Sequence, residues 1–393
     1  MERLSTWVEV DLDVLASNLR RLRELVGPRV QLQLVVKADA YGHGATAVAR
    51  VAQEQGAHSV GVATIDEGVE LRAHGIGVAI VVLSPTLPSE AQRAVDHRLT
   101  LTLGNVETAR ALSAASAAAG VLTSYHVEID TGMGRSGIAP SRAVEFLRAV
   151  SELPGLRLEG VFTHFPRADA GDGGTQVERQ IEDFLEVADA LRAAGIDPGL
   201  LHAANSAALV RHPRTRLDLV RPGILAYGLP PSEGVAPPPG IAPVMRFVTR
   251  LVHVREMPPA HPISYGGDFV TPEAMRVGTG AVGYGHGYPW ALSGRGAALL
   301  RGRRVPILGR VTMDTTVFDL RGVPEARLGD EIVLFGRQGD EEIRVSDLAS
   351  LSATLPYEIL IGIGRRVPRV YTRTGRAVQT RTLLGLSRSP EEA

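Results

Sequence analysis

From residue 1 to about 228 the chain alternates short apolar runs with longer amphipathic stretches. The runs are WVEVDL (7–12), LQLVVKA (32–38), VGVATI (60–65), VAIVVLS (78–84), LTLTL (99–103), YHVEID (125–130), LEGVFTH (158–164), LLHAAN (200–205) and LVRPGI (219–224). Each is strand-sized. Between them, LDVLASNLRRLRELVG, VETARALSAASAAAG and QIEDFLEVADALRAAGI carry helical patterns that stop at or near Gly, a common helix end. Strands alternating with helices imply parallel βαβ units. About eight repeats in about 220 residues fit a (β/α)8 barrel of the TIM type better than an open doubly wound sheet. Nine runs exceed eight strands, so the first run is free to pair elsewhere.

Residues 230–243, PPSEGVAPPPGIAP, hold six prolines in fourteen positions. Such a segment continues neither a helix nor a central strand, and it marks the domain boundary. The expected organisation is a barrel domain over residues 1–240 and a β-rich domain over 241–393. In the second, MRFVTRLVHVREM, AALLRGRRVPILGRVTMDTTVFDL and DEIVLFGRQGDEEIRV read as short strands separated by Gly, Asp and Arg turns. This pattern predicts a mostly β region over 244–375 with one short helix near SDLASLSAT, then a frayed tail at SRSPEEA (387–393).

Composition narrows the class. A 44% hydrophobic and 22% charged chain is ordinary for a folded soluble protein. A net charge of -1 argues against a strongly basic nucleic-acid surface or a polybasic membrane anchor. The apolar runs are far too short to span a bilayer, and MERLSTWVEVDLDVL is acidic and amphipathic rather than signal-like. A soluble, cytoplasmic protein with no nucleic-acid or membrane partner is expected. The absence of cysteine excludes disulfides, thiolate metal sites and a cysteine nucleophile. Of the 42 lysines and arginines only one, Lys37, is a lysine. Arginine stays protonated, whereas a lysine amine can lose its proton and serve as a base or Schiff-base nucleophile. Lys37 closes the apolar run LQLVVK, which is not a surface context, so it reads as functional.

In a (β/α)8 barrel the chemistry gathers at the carboxyl ends of the strands. The residues closing the runs are Lys37 and Tyr41, Asp130 and Arg135, His164, Asn205 and Ser206, and Arg221 and Gly223. Each alone has an ordinary reading: Asn205-Ser206 makes a good helix cap, and Asp130 to Gly134 a turn. Together they set a lone lysine and cations beside small residues whose backbone N–H groups suit an anion such as phosphate. A Schiff-base lysine beside a phosphate cradle points to pyridoxal 5′-phosphate (PLP) as cofactor.

The chain resembles the alanine racemases. The resemblance is carried by VVKADAYGHG (35–44), IDTGMGRSG (129–137), THF (163–165), HAANSAA (202–208), VRPGILAYG (220–228), ISYGGDF (263–269), VGYGHGYP (282–289), GRVTMD (309–314), YEIL (357–360) and RRVPRVY (365–371). These follow in that family's order and spacing and span nearly the whole chain. The resemblance implies a PLP-binding (β/α)8 barrel followed by a mostly β domain. It also implies a homodimer whose active sites lie between one chain's barrel and the other's β domain, and interconversion of L- and D-alanine that supplies D-alanine for peptidoglycan.

The same resemblance implies roles for individual residues. Lys37 would hold PLP and act as acid and base on one face of the substrate Cα. Tyr265, supplied by the other subunit, would do so on the opposite face. An ordinary tyrosine pKa is near 10, so Tyr265 needs help to act as a base, and His164 and Arg221 beside the cofactor are the expected helpers. Arg221 would face the pyridine nitrogen of PLP. Arginine has only donors, so that nitrogen must accept and stay unprotonated. Arg135 and the Met313 amide would bind the substrate carboxylate. Tyr41, Ser206, Gly223, Ile224 and Tyr357 would hold the phosphate, with Asn205 beside them, and Tyr284 would stand at the mouth of the substrate channel.

The chain also departs from the family pattern. Where the family often has a lysine that becomes carbamylated, this chain has Glu128; where it commonly has Asp and Arg, this chain has His286 and Trp290. Glu128 is expected to pair with Arg135 across the IDTGMG turn, the ordinary alternative being a solvent-facing strand glutamate. A broad-spectrum or serine racemase on the same scaffold is the near alternative function. A decarboxylase of this fold type characteristically uses a cysteine, absent here. A non-catalytic PLP-binding protein resembles a barrel alone, and the residues after the proline segment count against it.

Overall fold

The computed structural model describes residues 4–170 and 175–388. Two compact units divide the chain. One holds residues 15–40 and 45–242; the other holds residues up to Val14, Tyr41–Gly44, and those from Pro243 onward.

The first strand, β1 (Thr6–Asp11), does not enter the barrel. It pairs antiparallel with β10 of the second unit, described below, Val8 lying opposite Phe247. The barrel is closed by eight parallel strands: β2 (Gln31–Val35), β3 (Ser59–Val62), β4 (Ala79–Val82), β5 (Thr100–Leu103), β6 (Thr123–Glu128), β7 (Leu156–Phe162), β8 (Leu200–His202) and β9 (Leu219–Val220). Closure is made where Gln31 and Leu32 of β2 meet Leu219 and Val220 of β9. Every residue of β3 and β5 is buried, as expected of parallel strands covered on both faces, and neither strand carries a charged residue. The intervening helices are locally encoded. Val106–Ala119 is capped by Asn105, which accepts the Thr108 amide at 2.7 Å, and it ends at Gly120 with φ 65°. Ile65–Ala73 starts with a capping box of Thr64 and Glu67.

Residues 230–243 contain neither helix nor strand. Beyond them the second unit is built on β10 (Met245–Met257), β11 (Pro262–Ile263), β12 (Phe269–Val270), β13 (Met275–Gly280), β14 (Ala297–Leu300), β15 (Arg303–Leu308), β16 (Thr316–Asp319), β17 (Glu331–Gln338), β18 (Glu341–Ile343), β19 (Arg369–Arg373), β20 (Arg376–Thr382) and β21 (Gly385–Arg388). Its eleven-stranded sheet runs β18-β17-β14-β15-β16-β13-β10-β1-β19-β20-β21. β1 sits between β10 and β19, with Trp7, Val8 and Val10 fully buried and Glu9 paired to Arg246 at 2.6 Å.

Two expectations for this unit need correction. Among the described residues it carries two short α-helices, Val345–Leu351 and Pro356–Ile361, rather than one. Pro356 opens the second, a position where its missing N–H costs nothing. Ser387 and Arg388 are not frayed but finish β21; the rest of the expected tail lies outside the described residues. Among the described residues no helix is long and apolar enough to cross a membrane.

Candidate active site

In the barrel unit, five loops leaving the carboxyl ends of the strands carry the polar residues singled out above. Lys37 follows β2 and is half-buried. Its amine is held below its ordinary range, first by burial and then by Arg135, while Glu67 works the other way. A left-handed turn begins at the next residue: Ala38, Asp39, Ala40 and Tyr41 have φ of 51°, 55°, 54° and 53°. For residues with a Cβ this conformation costs roughly 1–2 kcal/mol each. Three hydrogen bonds hold it. The Ala38 amide donates to Glu67 at 2.6 Å, the Ala40 amide to the Val36 carbonyl at 2.8 Å, and the Ala45 amide to Asp39 at 2.9 Å. The lysine is thereby fixed between a rigid strand and an over-determined turn.

The loop after β6 is organised by Asp130, whose carboxylate accepts the Gly132, Met133 and Gly134 amides at 2.8–3.0 Å. Against its partial burial, these amides and Arg135 keep Asp130 below the usual carboxylate range. Arg135 is exposed at the end of this turn. Glu128 is not a surface residue: it is 2% exposed, and its carboxylate accepts the Ser136 hydroxyl at 2.6 Å. No ion pair joins Glu128 to Arg135 among the described residues; in place of the expected pairing, the Glu128 carboxylate is held by the hydroxyl of Ser136, the residue after Arg135.

His164, after β7, is pushed down to about 3, first by burial and then by Arg221, Arg135 and Lys37, and is therefore neutral. The Asn205 side chain accepts the Ala208 amide at 3.0 Å as a helix cap and donates to the Phe165 carbonyl at 3.1 Å. Ser206 is buried, and its hydroxyl oxygen accepts the Gly223 amide at 3.0 Å. Ile224 is 1% exposed, yet its amide makes no hydrogen bond to the protein among the described residues. The Ser206 hydroxyl proton and the Ile224 amide therefore form a donor pair without an internal acceptor, which is what an anion site requires. Arg221 is 4% exposed, lies 4.9 Å over the Phe162 ring, and is lowered to about 10 chiefly by burial. Its Nη1 donates to Nδ1 of His202 at 2.8 Å, and its Nη2 to the Thr163 carbonyl at 2.7 Å. The role of His202, and of His126 behind it, was missed by the sequence reading. The available signal was a histidine inside an apolar strand run, in LLHAAN and YHVEID.

The remaining expected residues lie in the β unit. Tyr41 packs on Tyr357 with ring centroids 5.8 Å apart, and burial raises its hydroxyl pKa. Tyr265 is 72% exposed and opens a tight turn, Tyr265–Gly267. Tyr284, Trp290 and Met313 are also exposed. Hydrogen bonds tie their segments together: Ser264 to the Arg310 carbonyl at 2.7 Å, Tyr284 to Thr312 at 3.0 Å, Gly285 to Met313 at 2.9 Å, and Val311 to Ser293 at 3.0 Å. His286 lies 3.2 Å from Arg366, which also contacts Asp314.

A closed parallel barrel carrying a half-buried lysine, a buried arginine and an open anion cradle at its carboxyl end defines a (β/α)8-barrel enzyme for a small anionic ligand. Residues 10–231 match the family model for the alanine racemase N-terminal domain, and residues 244–371 that for the C-terminal domain. The chain belongs to the alanine racemase family, whose members are isomerases that use PLP. It is 43% identical over 366 residues to an alanine racemase of Halothermothrix orenii, covering 93% of this chain and 96% of that one. It is 44% identical over 381 residues to one of Desulfosudis oleivorans, covering 94% and 97%. Among solved structures, alanine racemase from Bacillus anthracis with bound L-Ala-P superposes with TM-score 0.91 at 37% identity, covering 97% of this chain and 98% of that one. The enzyme from Streptomyces coelicolor superposes with TM-score 0.88 at 37% identity, covering 95% and 99%.

Proposed function

We propose that the protein interconverts L- and D-alanine in the cytoplasm as a PLP-dependent homodimer, supplying D-alanine for peptidoglycan. The observation that carries this reading is Lys37: the only lysine of a family member, half-buried at the carboxyl end of β2, with its amine poised below the ordinary lysine range.

The residues present fit the cofactor. Ser206, Gly223 and Ile224 would hold its phosphate, with the Tyr41 and Tyr357 hydroxyls beside them, Lys37 its aldehyde carbon, and Arg221 its ring nitrogen. When bound, PLP supplies an electron-withdrawing ring that acidifies the Cα–H of an attached amino acid. The chain's own groups do the rest. Lys37 moves a proton on one face of Cα, where a lowered amine pKa raises the share of neutral base at physiological pH. Tyr265 of a second copy moves the proton on the opposite face. Arg135 and the Met313 amide orient the substrate carboxylate, and Tyr284 flanks the channel. Exposure of Tyr265, Tyr284, Trp290 and Met313 on linked segments supports a partner chain covering them.

The test is to incubate purified protein and PLP with L-alanine and, separately, D-alanine, and to follow optical rotation. Both solutions should decay to zero rotation. Persistence of rotation overturns the proposal, and faster decay with serine reassigns the substrate.

A further inference from the structure

Three ionisable side chains run through the barrel interior behind Arg221, and the reaction outlined above uses none of them. His202 ends β8, His126 lies within β6, and Glu159 lies within β7. His126 and His202 are 1% and 0% exposed, while the Glu159 side chain retains 22% of its surface.

The hydrogen bonds fix the protons. Nη1 of Arg221 is a donor, so Nδ1 of His202 accepts at 2.8 Å. Burial first, and then the Arg221 charge, hold His202 well below the usual imidazole range, so the ring is neutral. Its single proton therefore sits on Nε2, which lies 3.0 Å from Nδ1 of His126. That nitrogen accepts in turn, so the proton of His126 sits on Nε2. Among the described residues this last nitrogen has no hydrogen-bond partner, and it faces the Glu159 carboxylate at 3.7 Å. The facing His126 ring holds Glu159 below the usual carboxylate range. A guanidinium at one end and a carboxylate at the other set the tautomer of both imidazoles between them.

The packing keeps the rings in place. His202 stacks on Phe162 at 4.9 Å and meets His126 edge-on at 5.0 Å. Gly160 stands opposite His126 in the register, and a Cβ there would lie 3.2 Å from the His126 ring. The other charged or titratable groups acting on this line are His58 and Arg157 near Glu159, and His164, Glu128 and Arg135 near Arg221.

Arg221 makes no direct carboxylate contact among the described residues: its Nη atoms go to His202 and to the Thr163 and Ala203 carbonyls. We propose that Glu159 is a positioning residue, the distal counter-charge of Arg221, acting through the fixed tautomers of His126 and His202 to hold the guanidinium at the barrel mouth. If His126 took the other tautomer, its Nδ1–H would face the Nε2–H of His202, and relieving that clash by switching His202 would point an N–H at Nη1 of Arg221, donor against donor. This deepens the racemase reading and rests on it.

The experiment uses PLP-loaded enzyme carrying 15N-labelled histidine, as wild type, Glu159→Leu and Glu159→Gln. Wild type should show both rings as single Nε2–H tautomers. Glu159→Leu should mix the tautomers and lower kcat about tenfold, at the low end of the cost of removing an imidazole's orienting partner. The KM for alanine should stay within about twofold, since uniform binding is untouched. Glu159→Gln, whose Oε1 keeps a lone pair to face the His126 Nε2–H, should restore the tautomers and part of kcat. Wild-type tautomers and kcat in Glu159→Leu overturn the proposal, as does a lowered melting temperature with unchanged kcat. If Glu159→Leu does not fold, an unchanged kcat in Glu159→Gln overturns it. A wild type that fails to racemise alanine refutes the assigned reaction alone, because the NMR arm is read without substrate.

Discussion

The Glu67 carboxylate accepts the Ala38 amide at 2.6 Å, tying the residue after Lys37 to the first turn of the helix Ile65–Ala73. The other oxygen accepts the Ala63 amide at 2.7 Å. One side chain thus caps a helix and braces the left-handed turn that aims the lysine. Glutamine can offer only one acceptor oxygen, so its NH2 would oppose one of these amides. Glu67→Gln should cost about 1–3 kcal/mol in urea melts. It should also lower the Lys37 pKa, because Glu67 now raises it. An unchanged unfolding midpoint would show that the brace is dispensable.

Lys37 gives the protein an alkaline signature. With one lysine in the chain, 15N-lysine labelling yields a single Nζ resonance whose titration is assigned without ambiguity. Its folded pKa should fall below the reference 10.5. Below the depressed pKa both states are protonated, and burying the ammonium costs stability in full. Between that pKa and 10.5 the unfolded chain binds more protons, so stability rises with pH. Cofactor-free protein should therefore become more stable through this window, and Lys37→Met should flatten the rise. Borohydride reduction of the loaded protein should leave one pyridoxyl group, on Lys37.

The acid side has the same sign. His164 is lowered to about 3 from 6.5, and His202 well below 6.5. Above 6.5 both folded and unfolded states are neutral and nothing is gained or lost. As pH falls from 6.5 towards 3, the unfolded chain takes up protons that the folded one refuses. Stability should fall by up to about 1.4 kcal/mol per pH unit for each histidine. His164→Gln should reduce that slope in urea melts between pH 6 and 4. An identical slope would show that His164 is protonated in the fold.

The barrel was legible because parallel strands buried on both faces leave short, mostly apolar runs at regular spacing, and their polar closing residues fall where the loops open. The surplus ninth run was resolved by Glu9: a partly exposed residue within WVEVDL suits a sheet pairing with β10 and β19, not a fully covered barrel position. The turn Ala38–Tyr41 was illegible because ADAY has none of the Gly or Asn that normally announce a left-handed backbone. The line from Arg221 to Glu159 was illegible for another reason. It depends on which strands lie side by side, and no local pattern around His126 names His202 as its neighbour.

Catalysis should need two chains. Lys37→Ala and Tyr265→Phe proteins should each lose about 10²–10⁴-fold of activity, as expected when an acid–base group is removed. A mixed dimer has one site with both an intact lysine and an intact tyrosine. Equal mixing with subunit exchange should therefore restore about a quarter of wild-type activity, since half the dimers are mixed and half their sites intact. No recovery after exchange is verified would place Tyr265 outside the partner's site.

The last prediction concerns Glu128. Its carboxylate is buried against the Ser136 hydroxyl at 2.6 Å, and its charge raises the pKa of Arg221. Removing Ser136 strands a buried anion, so Ser136→Ala should cost about 1–3 kcal/mol. Glu128→Gln should cost less, because the amide oxygen still accepts from Ser136 and no charge is buried. The two changes together should be non-additive by about 0.5–3 kcal/mol in a double-mutant cycle. Arg135 is exposed, so Arg135→Ala should change stability by no more than about 0.5 kcal/mol. Because glutamate is already an anion, activity should not respond to added bicarbonate, as it would if a lysine there needed carbamylation. Destabilisation by Arg135→Ala as large as that by Ser136→Ala would make Arg135, not Ser136, the partner of Glu128.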